Sequence, residues 1–247
     1  MNDITVPQLL QQIAKKYPDI PAQYSKNEQG DFIPIPYSRI MDLVLNFSAG
    51  LLALGVKRGD RIGLIADNRK EWYHASMGIM AIGACDVPRG CDATEHDLVR
   101  FLSFAECSIA VLENQAQLVK IIKRSTQIPL LKTLILLDPI DQNAQELKNA
   151  GDLSQFTLFS YTEIIESGAA FRAANPGTVE QELAKGRDSE IATIIFTSGT
   201  TGDPKGVMLT HKNFIVQLDD LMTRVILHPG EKAIVVLPVW HSFERLC

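Results

Sequence analysis

Apolar positions at the start of the chain follow a helical period. Leu9, Leu10, Ile13 and Ala14 share one face of the stretch 6–17, and Pro18 ends it. Residues 24–35, with Gln29-Gly30-Asp31 at their middle, read as a short hairpin. Ser38 is the predicted cap of a second helix, which buries Ile40, Leu43, Val44, Phe47 and Leu51 and stops at Gly55. Beyond it, short apolar runs alternate with amphipathic ones. Strands are predicted over 61–66, 85–87, 108–112, 131–137, 191–196, 207–210 and 233–237. Helices are predicted over 70–82, 96–105 behind a Thr94 cap, 116–123 and 212–227. The stretch 139–186 is more polar and reads as mostly helix or loop. This alternation predicts an α/β fold, mostly parallel sheets with flanking helices. A looped stretch over 173–187 is predicted to join two sub-blocks, 1–172 and 188–247.

Composition narrows the function classes. The 247 residues are 46% hydrophobic, enough for a sizeable core. The net charge is −5 and Lys and Arg are scattered without a basic stripe, which argues against a nucleic-acid partner. The four cysteines, Cys85, Cys91, Cys107 and Cys247, include no CxxC pair, so they read as reduced thiols rather than metal ligands. Met1–Thr5 has neither the charged start nor the apolar core of a signal peptide. No run of about 18 apolar residues exists to span a membrane. A cytoplasmic protein is the expectation.

The chemistry is concentrated in one run, Thr197-Ser198-Gly199-Thr200-Thr201-Gly202-Asp203-Pro204-Lys205-Gly206, which follows the apolar stretch 191–196. Three glycines, four hydroxyls and a lysine fall within these ten residues. Glycine leaves backbone N–H groups uncovered, so such a loop can wrap donors around an anion. The hydroxyls add short donors, and Lys205 adds a compact positive charge. The pattern therefore reads as a phosphate cradle at a strand end. It is not a Walker loop, because Lys205 is followed by Gly206 and preceded by Pro204. The plainer alternative is a tight hairpin between 191–196 and 207–210.

The run with its flanks, TIIFTSGTTGDPKGVMLTH, resembles the phosphate-loop signature of the adenylate-forming superfamily of acyl-CoA synthetases, luciferases and peptide-synthetase adenylation domains. Leu237-Pro238-Val239-Trp240-His241-Ser242-Phe243-Glu244-Arg245 resembles a segment of the long-chain fatty acyl-CoA synthetases within it. Gly59–Arg69 with Glu71-Trp72, and then Gly83–Gly90, also fit, so the likeness runs along the whole chain. Members of the family are considerably longer. The resemblance thus implies an incomplete N-terminal AMP-binding domain, with the C-terminal domain absent and the fragment alone inactive.

What the resemblance implies is a two-step reaction. A carboxylate, with a long-chain fatty acid favoured, attacks the α-phosphate of ATP to give an acyl-adenylate and pyrophosphate. A thiol, usually coenzyme A, then displaces AMP. Thr197, Ser198, Gly199, Thr200, Thr201 and Gly202 are implied to hold the β- and γ-phosphates, with Lys205 offsetting their charge. Thr200 or Thr201 is implied to reach Mg²⁺. His241 is implied to orient the carboxylate or gate the acyl site, and Trp240 to line its entrance. Glu244 and Arg245 read as a pair on a helix surface. His74, His96, His211, His228 and Asp203 read as structural or exposed. Contact with a membrane surface follows if the acid is drawn from one. The competing readings are an adenylating enzyme for an aryl or amino acid, and a non-catalytic nucleotide- or acyl-binding module.

Overall fold

In a computed structural model, residues 3–27, 29–140, 153–197, 205–226, 228–242 and 244–246 are described. Helix α1 (Val6–Lys16) is capped by Thr5 in a reciprocal box with Gln8. Strands β1 (Pro21–Lys26) and β2 (Phe32–Pro36) form the expected antiparallel hairpin. Helix α2 (Tyr37–Ala53) begins one residue before Ser38, which is not its cap. The N–H groups of Tyr37 and Ser38 donate instead to the carbonyls of Ile20 and Pro18, both at 3.0 Å, so the first turn needs no side-chain cap. Gly55, at φ +85°, ends the helix as expected.

The remaining elements build one sheet. They are β3 (Arg61–Ile65), α3 (Lys70–Ala81), β4 (Cys85–Arg89), α4 (Glu95–Phe104), β5 (Ile109–Leu112), α5 (Gln115–Ile122), β6 (Thr133–Leu136), β7 (Thr157–Ser160), α6 (Tyr161–Ala174), α7 (Thr178–Ala184), β8 (Ile191–Thr197), β9 (Lys205–Thr210) and α8 (His211–Arg224). The order is β7-β6-β5-β3-β4-β8-β9, with every pair parallel except β8–β9. Side chains alternate across it as a period of two requires. Ile62, Leu64, Ile109, Val111 and Ile135 pack against α2, α3 and α6, while Val87, Ala110, Leu112, Leu134 and Leu136 meet α4 and α5.

Close approach fixes the helix layer. A Cβ at Gly50 of α2 would lie 2.5 Å from the Ile164 carbonyl oxygen of α6, and one at Gly168 would run into the Asn46 carbonyl. The two backbones touch because neither position carries a side chain.

Among its described residues the stretch 139–186 is mostly helix and loop, as expected, and holds one strand, β7, whose four residues are too few to show a period. Two expectations change. Much of the looped stretch 173–187 is helix α7, and strands from both sides of it enter the same sheet. The run 233–237 forms no strand, and Ile234 and Val236 are 87% and 75% exposed. A buried-strand pattern needs a neighbouring strand, and no described strand pairs with it.

Candidate active site

The sheet order reverses around β3, with β4 on one side and β5 on the other. In open α/β sheets, ligands bind beyond the carboxyl ends of strands at such a point. The described ends of the phosphate-type run lie at that end of the sheet. Thr197 is the last residue of β8 and Lys205 the first of β9, and the two are cross-strand partners. The strands on either side of the run therefore pair as the hairpin alternative expected. Ser198, Gly199, Thr200, Thr201, Gly202, Asp203 and Pro204, with the metal contact expected of Thr200 or Thr201, lie outside the described residues. Thr197 and Lys205 are both exposed at the base of the loop.

Residues 237–240 lie at the carboxyl ends of β3 and β4. Asn68 holds it by a fork: its amide nitrogen donates to the Leu237 carbonyl at 2.8 Å, and its amide oxygen accepts from Val239 N–H at 3.0 Å. The Trp240 ring sits against Gly90, at the end of β4, where a Cβ would collide with it. The Arg89 guanidinium stacks on the same ring at 5.0 Å and on Phe101 at 5.5 Å. Phe101 in turn meets Phe196 at 4.7 Å, the residue before Thr197. A continuous chain of contacts thus links Trp240 to the strand that opens the phosphate-type run. His241 follows Trp240 in a turn closed by its N–H donating to the Pro238 carbonyl at 2.9 Å.

Glu244 and Arg245 do not pair on a helix surface. Glu244 accepts from Leu237 N–H at 3.1 Å and closes the segment on itself. The Arg245 side chain is 5% exposed and donates to both carboxylate oxygens of Asp86, at 3.1 and 2.8 Å. It also donates to the Thr193 hydroxyl at 2.8 Å and the Ser76 hydroxyl at 3.0 Å. Asp86 is fully buried, and a buried charge requires a partner. An aspartate inside the apolar stretch 84–87 was the signal in the sequence for this contact, but the partner's identity was not in it.

Other titratable groups fall into place around the sheet. His74 and His211 are buried, and burial pushes both down to about 4, so they are neutral at pH 7. His74 Nδ1 lies 2.9 Å from the Tyr161 hydroxyl, and His211 Nδ1 accepts from Val6 N–H at 3.4 Å, consistent with structural roles. Cys85 and Cys107 are buried free thiols. Asp67, Cys91 and Glu113 converge beyond β3, β4 and β5. Burial, with the charges of Glu113 and Asp67, pushes the Cys91 thiol up to about 12. Their separation in sequence hid this group, which forms only when the three strand ends align. No helix among the described residues is long and apolar enough to cross a membrane.

Known proteins provide the comparison. The AMP-binding enzyme family model matches residues 10–247. A long-chain-fatty-acid–[acyl-carrier-protein] ligase, AEE15 of Arabidopsis thaliana, chloroplastic, is 33% identical over 97% of this chain and 33% of its own length. The long-chain-fatty-acid–CoA ligase ACSBG2 of Xenopus laevis is 31% identical over 85% of the chain and 26% of its own. The chain thus spans about a quarter to a third of the length of these curated relatives. Among solved structures, a long-chain-fatty-acid-CoA ligase from Archaeoglobus fulgidus superposes with a TM-score of 0.74 at 18% identity, covering 98% of this chain and 43% of that one. The adenylation and carrier didomain of a carboxylic acid reductase from Segniliparus rugosus, in complex with AMP, gives 0.75 at 20% identity over 98% and 37%. These last two likenesses establish the fold.

Proposed function

Because the chain belongs to the AMP-binding enzyme family, we propose that it forms part of an acid–thiol ligase that activates a long-chain fatty acid. In this reading the carboxylate attacks the α-phosphate of ATP, pyrophosphate leaves, and a thiol then displaces AMP from the acyl-adenylate. The observation that carries it is the hydroxyl- and glycine-rich run Thr197–Gly206, whose Thr197 closes β8 and whose Lys205 opens β9.

The difficulty of the first step is bringing one anion to another, so positioning and charge compensation carry most of the work. The run Thr197–Gly202 wraps the β- and γ-phosphates, and Lys205 offsets their charge as pyrophosphate departs. Thr200 or Thr201 supplies a hydroxyl to the Mg²⁺ that accompanies the nucleotide. His241 orients the carboxylate, and Trp240 lines the way in for the acyl chain. The relatives' names favour a long-chain acid over an aryl or amino acid. They divide over the thiol, one naming an acyl carrier protein and the other CoA, so both acceptors enter the test. We place the protein in the cytoplasm, meeting its acid at membrane surfaces.

ATP–pyrophosphate exchange with a panel of carboxylic acids, on the whole gene product and on this chain, tests the reading. Exchange should depend on a long-chain acid and be lost in Lys205→Ala. Thioester formation with CoA or with a phosphopantetheinylated carrier then identifies the acceptor. No exchange with any acid would refute acid activation.

A further inference from the structure

Arg245 occupies a built socket. Three elements distant in sequence supply its polar lining: Ser76 from α3, Asp86 from β4 and Thr193 from β8, each with 0% exposure. The lining is itself bonded, with the Ser76 hydroxyl donating to the Asp86 carboxylate at 2.6 Å and the Thr193 hydroxyl donating to the Asp86 carbonyl at 3.3 Å. The rings of Trp72 and Phe214 lie against the guanidinium at 5.2 and 5.4 Å. A planar fork meeting a carboxylate bidentately, with aromatic rings alongside, is a site for arginine and not for lysine.

The segment that carries His241 is fastened on both sides. The Asn68 fork holds it at Leu237 and Val239, and the socket holds it at Arg245. Glu244 ties the two ends together through Leu237 N–H. Asn68 alone fixes one end of a short loop and leaves the other free to swing. We propose that Arg245 is the positioning residue of the site: seated in the Ser76–Asp86–Thr193 socket, it sets where His241 and Trp240 stand relative to Thr197 and Lys205. The role of His241 rests on the acid-activation reading above, whereas the placement of Trp240 does not.

The test compares Arg245→Lys, Arg245→Met and the neutral pair Asp86→Asn with Arg245→Met, all in the whole gene product. The neutral pair removes both charges together and avoids leaving one buried and unpaired. Two readouts are taken: kcat and KM in ATP–pyrophosphate exchange, and acrylamide quenching of Trp240, isolated as the difference between each protein and its Trp240→Phe counterpart. A loop displaced by an ångström costs about 100-fold in rate. The folded neutral pair should therefore lose at least tenfold in kcat while KM for ATP stays within about twofold, because Thr197 and Lys205 are untouched. Trp240 should become more accessible to quencher, and Arg245→Lys should recover part of both effects. A folded neutral pair with parental kcat and parental quenching would overturn the proposal. A parent without exchange would refute acid activation instead, and the quenching arm alone would then decide whether the socket positions the loop.

Discussion

Gly90 allows the contact between Trp240 and the end of β4 to be broken with one methyl group. A Cβ at this position would press into Trp240 Nε1, lie 2.9 Å from Cε2 and come within 2.8 Å of Asp92 Oδ1, where ordinary contact begins at 3.4 Å. Packed interiors do not absorb such overlap, so the ring must retreat by on the order of 1 Å. Its φ lies outside the left-handed region, so alanine brings no backbone strain of that kind. The cost has two parts. Loss of the Arg89–Trp240 stack, at 5.0 Å and partly exposed, takes about 1 kcal/mol. The overpacking adds about 1–3 kcal/mol. His241 is the next residue; on the proposal that it orients the carboxylate, a shift of this size passed to it lowers the rate by about 100-fold. The assay is exchange kinetics together with the emission of Trp240, isolated as the difference from the matching Trp240→Phe protein. Gly90→Ala should redden the emission and depress kcat. Pairing it with Trp240→Ala, which removes the colliding atoms, should cost less than the two single changes added. A Gly90→Ala protein with parental emission and parental kcat would refute this account of the loop.

Three further outcomes follow from the same packing. Gly168→Ala improves helix propensity by about 1 kcal/mol yet drives a methyl into the Asn46 carbonyl, so urea denaturation should show a net loss of about 2 kcal/mol or more; greater stability would contradict the α2–α6 contact. His74 and His211 are held at about 4, below their ordinary 6.5, so the unfolded chain takes up protons first as pH falls. Stability should thus be full above pH 6.5 and decline toward 4, by up to about 3 kcal/mol for each histidine, and His74→Gln should flatten the pH dependence of the melting temperature. Finally, β9 is an edge strand, and Met208, Ile234 and Val236 are more than half exposed, so the isolated 247-residue chain should self-associate in sedimentation. A dilute monomer with a sharp reversible melt would count against it.

Local signals in the sequence carried most of the architecture. Thr94, with Asp97 three residues on, forms the capping box that starts α4, and the apolar runs at 61–66, 108–112 and 191–196 all become strands. The phosphate-type run was legible because its residue types lie together. Arg245 was not, because its partners lie between 52 and 169 positions away and only the fold joins them. The run 233–237 misled for the converse reason. Its residues are suited to a strand, but strand formation depends on a neighbour that local pattern does not report.

The buried aspartate of β4 has a consequence for how the chain is made. Thr193 follows Asp86 by 107 positions and Arg245 follows it by 159. At about 5–20 residues per second, the outer edge of β4 waits roughly 5–20 s on the ribosome before β8 exists to cover it. Throughout that interval an inward-facing charge sits on an open strand edge, the kind of device that discourages pairing with foreign strands. Asp86 thus serves the nascent chain as a gatekeeper before it serves the folded one as an anchor. Ribosome-bound chains halted before residue 190 should aggregate more readily with Asp86→Val than with the parental aspartate. The charge is neutralised by the arginine near the end of these 247 residues, so solubility during synthesis and assembly of the site depend on the same carboxylate.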